Sequence, residues 1–155
     1  MDISIVIPLL NEQNSLEELS SSVSSVINDL NLKYEIILID DGSTDNSWKI
    51  ISKICLKNQH IKGIRFLKNF GKSQALSAGF KACNGDVVIT MDADLQDDPN
   101  EIPELYKKIN EEHFDLVSGW KKVRYDSIIF KNFPSKIFNW AARTTSGLKL
   151  NDFNK

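Results

Sequence analysis

The sequence predicts an α/β domain in which a mostly parallel sheet carries helices on both faces. Short apolar segments alternate along the chain with longer segments whose apolar residues recur at helical spacing. The short segments are almost continuously apolar, which is typical of parallel strands buried on both faces. Polar residues follow four of these segments, and right-handed crossovers bring the loops after parallel strands to one edge. We therefore expect one domain over residues 1–155 with a ligand site at that edge.

The first half of the chain is predicted to contain two strands and two helices. An apolar strand at 3–7 ends at Pro8, since proline cannot donate to a ladder. Leucine, valine and isoleucine then recur at helical spacing, which predicts an amphipathic helix over 15–30. A second buried strand covers 34–39. Asp45 follows it as a candidate cap for the next helix.

The second half repeats the alternation. Small residues such as Ala75, Ala78 and Gly79 suit a helix that packs closely on the sheet. Pro99 suits the first turn of a later helix, where its missing N–H costs nothing. The remaining strands are predicted at 61–67, 86–91 and 115–118, and the remaining helices at 71–83, 99–112 and 134–145.

Charge is distributed unevenly. The 155 residues have a formal net charge of −2. Residues 1–120 hold 11 Lys and Arg against 19 Asp and Glu, whereas residues 121–155 hold 8 against 2. A basic end on an acidic domain indicates a phosphate-bearing or membrane-surface partner. A solvated helix face is the alternative, and no nucleic-acid partner is expected.

The cysteines and the chain ends indicate the compartment. Cys55 and Cys83 fall in helical patterns without metal-ligand spacing, which favours buried thiols in a reducing compartment. The N-terminus lacks the basic region of a signal peptide, and no apolar stretch is long enough to span a bilayer. We expect a soluble, cytoplasmic chain. It stops after 151–155 without a closing element, so we also expect it to be truncated at the C-terminus.

The most informative motif follows the strand predicted at 86–91. Asp92 and Asp94 are spaced i, i+2, so in an extended chain their side chains point the same way. Gln96 adds a neutral amide oxygen. Mg²⁺ or Mn²⁺ takes few ligands of this kind when substrate phosphates complete its shell. The alternative is a plain acidic turn before Pro99, because an isolated pair of this spacing is a weak signal.

Three other loops at the expected edge carry groups suited to a nucleotide. Asp40 and Asp41 precede Gly42, which permits a tight turn; one carboxylate can bind a base or ribose while the other braces the loop. Glu12 leaves the first strand and suits the same partners. The lysines and backbone N–H groups of 68–72 suit an anion. The alternatives are a capping turn, a strand exit and a positively charged helix entry.

Together the motifs are far more specific than any one of them. They are IVIPLLNE (5–12), LIDDGSTD (38–45), RFLKNFGKSQALSAGF (65–80) and GDVVITMDADLQDDP (85–99). The chain resembles the family-2 glycosyltransferases, which have the Rossmann-like GT-A fold. Within them it resembles the polyprenyl-phosphate glycosyltransferases, such as dolichyl-phosphate mannosyltransferase and undecaprenyl-phosphate sugar transferases. The likeness extends from Ile3 to Asn154.

The resemblance implies a role for each matching residue. Nucleotide contacts are implied for Pro8, Leu9, Glu12, Asp40, Asp41, Lys68, Asp92 and Ala93. Metal ligands are implied at Asp92, Asp94 and Gln96, and catalytic roles at Asp92, Asp94 and Lys121. The acceptor phosphate is implied to bind Lys121, Arg124, Lys131 and Ser135. Lys121 and Lys131 stand where the family usually has arginine, so the bidentate fork of arginine is lost there.

The resemblance also implies a reaction. A sugar would move, with inversion and with Mg²⁺ or Mn²⁺, from a UDP- or GDP-type nucleotide sugar to a polyprenyl phosphate at the cytoplasmic face of the membrane. A phosphate monoester is already anionic near neutral pH and asks little of a general base. The alternatives are a polysaccharide or other glycan acceptor, and a module that binds nucleotide sugar without turnover. A receiver-type phosphorylation domain is disfavoured, because the acidic pair follows the second strand and not the first.

Overall fold

In the computed structural model, which describes residues 1–119, four strands alternate with four α-helices. The strands are β1 (Ile3–Leu9), β2 (Tyr34–Asp40), β3 (Ile61–Arg65) and β4 (Val87–Thr90). The helices are α1 (Leu16–Asp29), α2 (Ser47–Lys57), α3 (Lys72–Ala82) and α4 (Ile102–Asn110), and a 3₁₀ turn at Pro99–Glu101 precedes α4. The predicted alternation of strands and helices is thus confirmed over this part of the chain.

The strands form one parallel sheet in the order β3-β2-β1-β4. Ile5 of β1 lies opposite Ile36 of β2 and Ile89 of β4, and Ile36 lies opposite Ile61 of β3. Every residue of β1 and β2 is buried, as their almost continuously apolar pattern predicts. Because all four strands run the same way, the loops that follow them meet at one edge of the sheet.

Helices cover both faces of this sheet. On one face, Val6, Ile37 and Ile39 form a buried cluster with Ala75 of α3. On the other, apolar residues of the strands form a larger cluster with side chains from α1, α2 and α4. A Cβ atom added at Gly79 of α3 would lie only 2.4 Å from Cγ1 of Val6, so this glycine lets α3 approach the sheet closely. The prediction of helices on both faces is confirmed.

The prediction that Pro8 ends the first strand is wrong. Pro8 lies opposite Ile39 and Leu9 opposite Asp40, so the ladder to β2 continues past the proline. Successive residues of a strand direct their N–H and C=O groups alternately toward the strand on one side and the strand on the other. The carbonyl of Leu9 accepts from the N–H of Asp41 and therefore faces the β2 side. The nitrogen of Pro8 therefore faces the β4 side, beyond the last β1–β4 pair at Val6, where no ladder bond needs a donor.

Three further expectations fail in the described part of the chain. No strand forms at 115–118, and the side chain of Leu116 is 83% exposed and not buried as in a sheet. The thiols of Cys55 and Cys83 are free but only partly buried, and this burial raises the pKa of each. The strand predicted to reach residue 67 ends at Arg65, and the predicted helix at 134–145 lies outside the described residues.

The chain divides into two compact units, Met1–Asp115 and Leu116–Lys155. The first contains every strand and helix given above. Of the second, only residues 116–119 are described, and they form neither helix nor strand. Within residues 1–119, no helix has the length and apolar character needed to cross a membrane.

Candidate active site

A cleft of about 280 Å³ opens where β1, β2 and β4 end. It lies wholly within the first unit. Seven of the predicted site residues line it: Pro8, Leu9, Glu12, Asp41, Asp92, Ala93 and Asp94. Four others complete the lining: Leu10, Asn69, Gly71 and Lys72. The structure therefore brings together residues that lie up to 86 positions apart, between Pro8 and Asp94.

The loops after β1 and β2 are bound to each other by side chains. The backbone N–H of Asn11, which has a φ of 59°, donates to Oγ of Ser43 at 2.8 Å. The N–H of Glu12 donates to Oγ of Ser47 at 2.9 Å. Asp45 accepts from the N–H groups of Gln13 and Ser47. These bonds fix the backbone that carries Glu12 into the cleft.

Asp45 was predicted as the cap of α2, but it lies one position outside the N-cap and supports the helix start from there. The structure places Asn46 before the first helical residue, and Asp45 reaches past it to the N–H of Ser47 at 2.9 Å. Burial alone would raise the pKa of Asp45, but the bonds from Ser47 and Gln13 outweigh it and lower the pKa. The carboxylate thus stays ionised, which favours both the helix start and the link to the β1 loop.

Asp40 and Asp41 have different surroundings although they are neighbours. The side chain of Asp40 is completely buried and does not line the cleft. One of its oxygens accepts from the N–H of Ser43 at 2.8 Å, and the other lies 3.8 Å from Nε of Arg65. Asp40 therefore braces the turn after β2. Of the acidic pair, Asp41 is the residue that reaches the cleft.

Asp41 holds the loop that leads into α3. Its two oxygens accept from the N–H groups of Phe70 and Gly71 at 2.8 and 2.9 Å. The loop also passes very close to Gly42, whose φ is 77°, because an added Cβ there would lie 2.4 Å from the carbonyl carbon of Lys68. Gly42 thus permits the approach that lets Asp41 hold the start of α3 in place.

Asp92 and Asp94 follow β4 on the opposite side of the cleft. Oδ1 of Asp92 forms an ion pair with Nζ of Lys72 at 2.5 Å. The N–H of Asp92 donates to Oδ2 of Asp97 at 2.9 Å, and Oδ1 of Asp94 accepts from the N–H of Gln96 at 3.1 Å. These bonds shape the turn after β4, and both Asp92 and Asp94 line the cleft.

The carboxylates fit a divalent cation that shares its shell with a phosphate. In the span 1–119, no three His, Cys, Asp or Glu side chains are grouped closely enough to hold a metal by themselves. Asp92 and Asp94 provide two hard oxygen ligands beside an open cleft. Mg²⁺ and Mn²⁺ bind in this way when one or two carboxylates and substrate phosphates surround them. Asp92 already contacts a cation here, the ammonium of Lys72.

Apart from the predicted residues that lie outside the described range, three predicted residues do not line the cleft. Asp40 is one; the others are Lys68, whose Nζ lies 5.1 Å from the ring centroid of Phe70, and Gln96, which is exposed. The four acceptor residues lie outside the described part of the chain: Lys121, Arg124, Lys131 and Ser135.

The structure adds residues that the motifs did not single out. Lys72 belonged to a loop expected to suit an anion, but its pairing with Asp92 has no signal in the sequence because 20 positions separate them. Ser43 and Ser47 have no predicted role, yet they hold the loop after β1. The lining residue Asn69 is next to Phe70, whose N–H is bound by Asp41.

The chain is similar to a curated transferase over nearly all of its length. The chain is 41% identical over 152 residues to an undecaprenyl-phosphate 4-deoxy-4-formamido-L-arabinose transferase from Shewanella sediminis (strain HAW-EB3). The aligned region covers 97% of this chain and 45% of that relative. The chain thus spans less than half the length of that curated relative.

Among solved structures, the chain is similar to glucosyl-3-phosphoglycerate synthase from Mycobacterium tuberculosis. In its complex with UDP, that protein has a TM-score of 0.67 and 25% identity, over 96% of this chain and 53% of that one. In its complex with Mn²⁺, UDP and phosphoglyceric acid, the values are 0.54 and 28%, over 70% and 38%. These likenesses confirm the predicted GT-A fold.

A family model matches nearly the whole chain. The match covers residues 4–155, and the model describes glycosyl transferase family 2. It includes the loops after β1, β2 and β4 that form the cleft. The chain therefore belongs to glycosyl transferase family 2, as the motifs in these loops predicted.

Proposed function

We propose that this chain forms the donor-binding part of an enzyme that transfers a sugar from a nucleotide diphosphate to a polyprenyl phosphate. The observation that carries this proposal is the meeting of Asp92 and Asp94 with Glu12 and Asp41 around one cleft. The volume of about 280 Å³ suits part of a nucleotide sugar. The name of the 41% identical relative supports the lipid phosphate as acceptor.

The two sides of the cleft have different tasks. The β4 side, with Asp92 and Asp94, holds a divalent cation and through it the diphosphate. When bound, the cation absorbs the negative charge that develops on the leaving diphosphate. The opposite side accepts the base and ribose and is lined by Pro8, Leu9, Glu12 and Asp41, while Ala93 contacts the nucleotide from the β4 side, between the two carboxylates. Mn²⁺ and UDP in the 28% identical solved structure support both assignments.

Three predicted residues have a lesser place in this proposal. Asp40 supports the nucleotide side through the turn after β2, because its own carboxylate is buried. Gln96 is an exposed neighbour of Asp94 and would be a cation ligand only with its side chain turned toward the cleft. Lys68 contributes positive charge beside the cleft and does not line it.

The acceptor side of the proposal rests on the basic end of the chain. An oxygen of the lipid phosphate attacks the anomeric carbon, the bond to the diphosphate breaks, and the configuration inverts. Positive charge from Lys121, Arg124 and Lys131 offsets the repulsion between the two phosphate-bearing substrates, and Ser135 adds a hydroxyl donor. The whole protein then works at the cytoplasmic face of a membrane, where its lipid acceptor lies.

A second candidate is a nucleotide-sugar-binding module without turnover. It is favoured by the length of the chain, which covers only 45% of the Shewanella relative. Incubating the 155-residue chain with radiolabelled nucleotide sugar and either undecaprenyl phosphate or a soluble glycan separates these candidates. Labelled lipid product supports the transferase, whereas donor binding with no product supports the binding module. Product on a soluble glycan, but none on the lipid phosphate, would indicate a glycan acceptor.

Calorimetric titration of the 155-residue chain with UDP and with GDP, each with and without Mn²⁺, tests the donor site. We expect one nucleotide to bind and to need Mn²⁺. Asp94→Asn removes a charged ligand and should abolish this dependence. Asp98→Asn is the matched control, because Asp98 is exposed nearby and accepts from the N–H of Asn100, which asparagine can also do. Unchanged Mn²⁺-dependent binding in Asp94→Asn would refute the site.

A further inference from the structure

Lys72 lies at the start of its helix, a position where a lysine is unfavourable. It is the first residue of α3, an 11-residue helix with no acidic residue in its first turn. The N-terminus of a helix carries partial positive charge, so a lysine there is unfavourable and an acidic residue is the usual choice. Residues that break a local rule without an evident local gain are candidates for a functional role. Here the compensation comes from Asp92, across the cleft.

The ammonium of Lys72 contacts one oxygen of the carboxylate that would also hold a metal ion. Nζ lies 2.5 Å from Oδ1 of Asp92, and both residues line the cleft. The side chains are 50% and 39% exposed, so solvent reaches the pair and screens it. The contact is therefore weak enough to exchange for another partner.

The backbone that carries Lys72 is held, so only its side chain has to move. Asp41 accepts from the N–H groups of Phe70 and Gly71 immediately before α3. Gly71 and Lys72 line the cleft, so the N–H groups at the start of α3 lie beside it. Because Gly71 has no side chain, no side-chain cap covers these groups. An anion bound there would meet these groups together with the lysine ammonium.

We propose that Lys72 is an exchangeable counter-ion, which neutralises Asp92 before the donor binds and moves to the diphosphate when a divalent cation takes its place. This inference rests on the proposed donor site and adds a coupling to it. Without nucleotide, the cation competes with Lys72 for Asp92. With nucleotide, the ammonium has a new anionic partner, so cation and nucleotide each strengthen the binding of the other.

The test measures Mn²⁺ affinity of the 155-residue chain by electron paramagnetic resonance of free Mn²⁺, with and without UDP. Lys72→Met removes the charge and keeps the length of the side chain. We expect it to bind Mn²⁺ without nucleotide roughly three- to tenfold more tightly than the original chain, since one positive charge near the cation is gone. UDP should then raise its Mn²⁺ affinity by a smaller factor than in the original chain.

Two variants control this measurement. Lys81→Met removes an exposed lysine from the last turn of the same helix, away from the cleft, so its Mn²⁺ affinity should match that of the original chain. Lys72→Arg keeps the charge and should keep the coupling between Mn²⁺ and UDP. Because Lys72 is half exposed, Lys72→Met should fold, and its circular dichroism spectrum and melting temperature check this.

The outcomes separate the two proposals. Tighter Mn²⁺ binding and reduced coupling in Lys72→Met alone support the counter-ion. Mn²⁺-dependent UDP binding by the original chain together with an unchanged or weaker Mn²⁺ affinity in Lys72→Met overturns the counter-ion and leaves the donor site standing. No Mn²⁺-dependent binding of UDP or GDP by the original chain overturns both.

Discussion

At the scale of single residues, two adjacent carboxylates show how placement decides chemistry. Asp40 is the last residue of β2 and is completely buried beneath the turn, whereas Asp41 reaches the cleft. Each carboxylate oxygen of Asp41 accepts one hydrogen bond, Oδ1 from the N–H of Phe70 and Oδ2 from the N–H of Gly71. A carboxylate oxygen can accept more than one hydrogen bond, so Asp41 can hold the loop and still bind a ligand.

We predict that Asp41→Asn both destabilises the chain and weakens its binding of nucleotide. The amide replaces one accepting oxygen by an NH₂ group that faces a backbone donor. The loss should be about 1–3 kcal/mol in the free energy of unfolding, the cost of leaving a partly buried N–H without its charged acceptor. Urea unfolding followed by circular dichroism measures the first effect, and calorimetry with UDP and Mn²⁺ the second. Asp86→Asn, at an exposed aspartate outside the cleft, is the control; equal stability of the two variants would contradict the role of Asp41.

At the scale of elements, a buried carboxylate joins the strands at the edge opposite the cleft. Glu35, the second residue of β2, accepts from Oγ of Ser4 in β1 at 2.8 Å and from Nζ of Lys62 in β3 at 2.7 Å. It also accepts from the N–H of Asn84 at 2.6 Å, just before β4. The carboxylate of Glu35 thus links β1, β2 and β3 to the residues that precede β4. Since β4 leads directly to Asp92, this network helps to place the carboxylates of the cleft.

The same network predicts how stability changes with pH. Burial alone would raise the pKa of Glu35, but hydrogen bonds from Lys62, Ser4 and Asn84 outweigh it and lower the pKa from 4.5 to about 2. A lowered pKa means that ionised Glu35 stabilises the fold above pH 4.5, and that this contribution is lost as the pH falls toward 2. We expect Glu35→Gln to lose about 1–3 kcal/mol at neutral pH.

Chemical unfolding of both proteins between neutral pH and pH 2 measures this prediction. The original chain should lose stability more steeply through the window from 4.5 to 2 than Glu35→Gln, which has no proton to gain there. Glu111→Gln, at an exposed position, provides the control and should follow the original chain. Parallel pH profiles for the original chain and Glu35→Gln would show that Glu35 does not contribute in this way.

At the scale of the whole molecule, the charge asymmetry separates two kinds of partner. The acidic residues 1–120 contain the cleft, which suits a cation and a nucleotide diphosphate, whereas residues 121–155 carry 8 Lys and Arg against 2 Asp. A basic segment is attracted to anionic lipid headgroups, and this attraction is screened by salt. The proposed lipid phosphate acceptor requires such a membrane surface.

We predict that the 155-residue chain binds vesicles of anionic phospholipid more strongly than vesicles of phosphatidylcholine. Binding should weaken as NaCl rises from about 0.05 M to about 0.5 M, because the screening length falls from above 10 Å to a few Å. Co-sedimentation measures it. The triple change Lys121→Gln, Arg124→Gln and Lys131→Gln should weaken binding, while Lys53→Gln and Lys57→Gln, in the acidic part, should not. Equal binding to both kinds of vesicle would contradict this prediction.

The sequence alone determined the parallel α/β fold, the family and most of the cleft. Strand and helix periodicity are local patterns, and the residues Glu12, Asp41, Asp92 and Asp94 follow strands whose ends must meet in a parallel sheet. Seven predicted residues accordingly line one cleft. This reasoning works because a parallel sheet converts positions in the sequence into positions at an edge.

Only the tertiary structure decided which group meets which at that edge. The pairing of Lys72 with Asp92, the burial of Asp40 and the passage of Pro8 through the ladder each depend on neighbours distant in the sequence. A strand was predicted at 115–118 but did not form, because a short segment becomes a strand only when a neighbouring strand pairs with it. Such pairings follow from long-range packing, which local periodicity does not contain.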